Sequence, residues 1–247
     1  MTEPVSRTRL QNEWVLCAMA AAASRFVPVP LADDLIKTRA TRTAVARTWA
    51  AHGRTACPSA IGVLAEDSTT FWGGIARSVA WLPLQLAFYP IRKIVRMVSA
   101  VRGVSTDLVG VVLLARSVDR MLAAGWFSGD DVPDLDEQAR AVRRAHDQVI
   151  ATADLRVLNG AISAVLHQVG GLRPQIGEFA RRAFGSADAP APIAAPVPTA
   201  EEDQVEQGAR QVAAVLDRPE VTRILLDLDR RFDAALAAAG PPPAANG

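Results

Sequence analysis

Residues 104–125, VSTDLVGVVLLARSVDRMLAAG, decide the fold. Val111, Leu114, Val118 and Met121 recur at three- and four-residue steps, the period of one helical face. From Leu108 to Leu114 the stretch is apolar on every side except at Gly110, so this helix is expected to be the central, most buried one. Gly125 follows the last apolar turn, where glycine readily takes the left-handed conformation that ends a helix. Upstream, Pro90 opens another helical pattern, with Ile91, Ile94, Val95, Val98 and Val101 on its apolar side. That stripe lies about half a turn round from the later one. Gly103, between them, is therefore expected to mark a kink or a break.

The helical reading extends over nearly the whole chain. Residues 8–26 carry Leu10, Trp14 and Cys17 at one-face spacing. After Pro28 and Pro30, a helix from Leu31 to His52 presents Leu31, Leu35, Val45 and Trp49, with Gly53 as its stop. Pro58 suits the first turn of a short helix. Asp134 and Glu137 resemble a capping box opening 135–150; Asp154 precedes 155–169, and 174–184 is a short amphipathic helix. Residues 201–217 and 220–239 are amphipathic, the second with Val221, Leu225, Leu228, Phe232 and Leu236 in a stripe. No stretch alternates with period two for long enough to argue a strand. The expected class is all-α: a multi-helix bundle over 1–185, an Ala/Pro-rich linker over 186–200, a C-terminal helical hairpin over 201–239 and a disordered tail over 240–247.

Composition removes several function classes. Half of the 247 residues are hydrophobic, which is ample for a core. Net charge is +1, whereas a dedicated nucleic-acid binder would show a basic excess. Cys17 and Cys57 are too far apart for a zinc motif, and they form no disulfide framework. The abundance of Ala, and of Arg over Lys, fits a GC-rich bacterial genome. Trp14 to Ala23 is apolar, but Asn12 and Glu13 interrupt the order of a signal peptide, and no run is long enough to span a bilayer. A cytoplasmic protein, at the inner face of the membrane in one reading, is the expectation.

Charge is unevenly placed. Residues 68–106 contain five cations, Arg77, Arg92, Lys93, Arg96 and Arg102, and no acid. Residues 186–247 contain ten acids and five Arg. The basic segment also holds Phe71, Trp72, Trp81, Phe88 and Tyr89. Aromatic rings at headgroup level, a shallow apolar face and nearby cations form the chemistry of a membrane-surface segment. The expected function is a non-enzymatic helical protein held at an anionic membrane surface, or in a membrane-bound assembly, through 68–102. The candidate contact residues are Phe71, Trp72, Arg77, Trp81, Phe88, Tyr89, Arg92, Lys93 and Arg96. The same pattern also describes a core segment with a solvated basic flank, or an oligomer interface. A second reading is a soluble adaptor or scaffold that binds a protein partner, or itself, through Val221, Leu225, Leu228 and Phe232. A third is an enzyme whose site has no recognisable motif.

The stretch 23–54, ASRFVPVPLADDLIKTRATRTAVARTWAAHGR, has a Pro-containing turn, an Asp-bearing helix and an end at His52-Gly53. In this it resembles segments of EcsC-like bacterial proteins and other membrane-associated helical families. The resemblance implies membrane association and carries no catalytic motif. Asp33 and Asp34 suit the positive end of a helix. His52, His146 and His167 are too scattered for a metal site and read as structural or surface residues. No nucleophile motif or phosphate loop is present, so no catalytic residue, cofactor or metal is expected.

Overall fold

A computed structural model describes residues 7–24, 32–66, 89–127, 131–168, 173–185 and 203–238. Of Ala32, 89–104, 167–168, 173–174 and 203–204 it describes the backbone alone. Among the described residues the chain forms nine helices and no strand. They are α1 (Arg7–Ala23), α2 (Ala32–Ala51), α3 (Pro58–Ala65), α4 (Tyr89–Ala123), α5 (Val132–Thr152), α6 (Arg156–Gln168), α7 (Arg173–Phe184), α8 (Asp203–Leu216) and α9 (Pro219–Ala238). The all-α reading is correct.

The centre of the bundle belongs to α1. It packs against α2, α4, α7 and α8, and every residue from Trp14 to Ser24 is buried. The run from Ala20 to Ala23 has no bulky or charged face, so neighbouring helices close on it from several sides. The Trp14 indole N–H donates to Thr48 Oγ1 at 2.8 Å, and that hydroxyl donates to Ala44 O at 2.9 Å, which satisfies the polar atoms buried there. The second half of α4, expected at the centre, lies beside α1. Leu108 to Met121 is mostly buried, but Arg116, Asp119 and Arg120 leave it a polar edge.

Gly103 does not end a helix: α4 continues through it from Tyr89 to Ala123. A mid-helix glycine costs roughly 1 kcal/mol and does not forbid the helix. Beyond Gly103, α4 runs beside α2. Lys37 Nζ lies 3.6 Å from Asp107 Oδ1, and His52 Nε2 lies 2.8 Å from Asp119 Oδ1. Two contacts in the same order along both chains mean that α2 and α4 run parallel. The first residue of α2, Ala32, is then level with about residue 102 of α4. At about 1.5 Å per residue, the first thirteen residues of α4 extend roughly 20 Å past the start of α2.

Both glycine stops are confirmed. Gly53 has φ +67° and Gly125 φ +86°, conformations that a side chain disfavours. Arg54 N–H donates to Trp49 O and Gly53 N–H to Ala50 O; Trp126 N–H donates to Met121 O and Gly125 N–H to Leu122 O. This paired pattern is the Schellman closure. The start of α5 corrects the expected cap. The helix begins at Val132 with Asp131 at the N-cap, and Asp134 lies inside the first turn. Pro133 needs no N–H partner at that position, so the helix starts ahead of the Asp134–Glu137 pair.

The last two helices share the same core. α8 packs on α1 and α6, and α9 packs on α5 and α6. Val205, Ala209, Val212, Leu216, Val221, Leu225, Leu228, Phe232 and Leu236 all join the one hydrophobic cluster. The expected linker, 186–200, and the tail, 240–247, lie outside the described residues.

Candidate functional site

The predicted surface residues divide into two groups. Phe71, Trp72, Arg77, Trp81 and Phe88 lie outside the described residues. Tyr89, Arg92, Lys93 and Arg96 fall on the first turns of α4, in the part that runs past α2. There the period of the helix sets Arg92, Lys93 and Arg96 on the face opposite Ile91, Ile94, Val95 and Val98.

The predicted partner-helix residues Val221, Leu225, Leu228 and Phe232 are buried inside the chain's own bundle. The stripe is genuine, but α5 and α6 cover it, so it is not an open face for another protein. A charged clamp fixes this arrangement. Arg116 on α4 grips Asp229 on α9 with two hydrogen bonds, Nε to Oδ1 at 3.0 Å and Nη2 to Oδ2 at 2.7 Å. Arg120 bonds Asp233 and lies 3.5 Å from Asp229. Asp229 is only 6% exposed, so its charge depends on these arginines rather than on water. At the other end of the hairpin, Gln11 Nε2 donates to Ala213 O and to Asp217 Oδ1, each at 3.4 Å. The clamp was not anticipated. Its signal was an aspartate inside an apolar stripe and an arginine inside an apolar run.

His52 and His146 hold elements together. His52, just past the end of α2, reaches Asp119 on α4. His146 is buried between α5 and α4, with Nδ1 3.4 Å from Ser117 Oγ. Ser117 already donates to Leu113 O at 2.9 Å, so the consistent arrangement has His146 Nδ1–H donating to Ser117. Burial, with the Arg143 charge adding to it, pushes the imidazole down to about 3. His146 is therefore a neutral structural donor. His167 belongs to a helix end of which the backbone alone is described.

Arg54 ties down the turn after α4. Its Nη1 donates to Trp126 O at 3.0 Å and to Phe127 O at 2.6 Å. Phe127 takes φ +60° while its ring lies 5.0 Å from Trp49 and its N–H donates to Gln138 Oε1. These contacts hold a strained, non-glycine backbone in place. Cys17 is fully buried, and burial pushes its thiol up to about 12, so it is no nucleophile. Among the described residues, no three His, Cys, Asp or Glu side chains are grouped to hold a metal. The open groove of about 440 Å³ on α8 is lined by the exposed residues Gln207, Arg210, Gln211 and Ala214, and offers no enclosed chemistry.

Among the described residues, no single helix is long and apolar enough to cross a membrane. The α5–α6 pair passes on length and composition together, but it is bent by 87°. The apolar residues Val149, Leu158, Ile162 and Val165 of that pair are buried in the bundle. Compared with known proteins, the chain matches no family model, no curated protein and no solved structure.

Proposed function

We propose that this chain is a non-enzymatic helical protein that associates with an anionic membrane surface through the N-terminal half of α4. The observation that carries this reading is the unbroken course of α4 past the start of α2, over the segment that has cations and no acid. An amphipathic helix of this kind lies in the interface, with its apolar stripe among the acyl chains and its cations in the headgroup layer. Each cation near a charged leaflet contributes about 1 kcal/mol, so Arg92, Lys93 and Arg96 together give up to roughly a hundredfold in affinity. The adaptor reading loses its main feature, since the stripe on α9 is already covered.

The test is co-sedimentation of the full chain with phosphatidylcholine vesicles, with and without phosphatidylserine. Binding should require the anionic lipid, weaken in high salt, and fall at least about tenfold when Arg92, Lys93 and Arg96 are all changed to Glu. Binding indifferent to phosphatidylserine and to the triple reversal would remove the reading.

A further inference from the structure

We draw no further inference here: the strongest candidate, the outward face of α6, where Val157, Gly160 and Ala164 are exposed in one uncharged stripe, carries none because nothing in the structure shows what covers it.

Discussion

His146 gives the sharpest stability prediction. Its neutral form is the one the fold accepts: the ring is buried, Arg143 repels a second positive charge, and Nδ1–H has Ser117 as acceptor. In the unfolded chain the same imidazole titrates near its ordinary value of 6.5; in the folded chain it resists protonation until about 3. The folded value is the lower one, so the unfolded state binds the extra proton. Stability is complete above pH 6.5 and falls as pH drops from there toward 3. Between pH 7.5 and 5 this single group removes about 2 kcal/mol, and by pH 4 about 3 kcal/mol.

Urea unfolding followed by helical circular dichroism measures it, on the native chain and on His146→Gln, at about pH 7.5 and about pH 5. Carboxylates held low by arginine neighbours, Asp154 by Arg156 and Glu178 by Arg181, are common to both proteins and cancel in the difference. The stability advantage of the native chain over the variant should shrink by about 2 kcal/mol at the lower pH. A difference constant to within about 0.5 kcal/mol would refute the reasoning. Imidazole carbon-bound proton shifts give a check that needs no unfolding model: the His146 signal should not titrate above about pH 4 in the folded state.

Two further outcomes follow from the packing. Arg116→Ala should cost about 3 kcal/mol, because it strips the Asp229 charge of its bidentate partner. A double-mutant cycle with Asp229→Ala should give a coupling above about 1 kcal/mol, and additive losses would show that the clamp contributes nothing specific. A small thiol reagent should label the half-buried Cys57 in the native chain and reach the fully buried Cys17 only after unfolding; equal rates at the two would contradict the placement of α1.

Helix identity was legible wherever apolar residues had a clear period or glycine and proline marked an end. Gly53, Gly125 and Pro58 work as their chemistry requires. The stripe on α9 was also legible, but a stripe names a face and not its neighbour. The helices that cover Val221 to Phe232, α5 and α6, left no such mark; what the sequence did carry was Asp229, a charge that is buried only because Arg116 of α4 meets it. The centre of the bundle was misread for a different reason. Alanine contributes little to an apolar pattern, so α1 looked ordinary beside Val- and Leu-rich α4. Small side chains nevertheless permit the close approach of several helices. The aromatic half of the surface segment, 71–88, lies outside the described residues.

Continuity through Gly103 matters more than the position of that glycine. A break there would let 89–102 turn freely, and its apolar stripe would have no defined relation to the bundle. Within one helix the relation is fixed to a few tens of degrees, the drift expected over twenty residues near 3.6 per turn. The late stripe is not the only buried face of that helix: Val109, Val112 and Leu113, which share a helical face with Ile91, Ile94, Val95 and Val98, are buried as well. From Leu108 to Ala115 every position but Gly110 is buried, so the half-turn between the stripes marks where α4 enters the bundle and no longer needs a single apolar face.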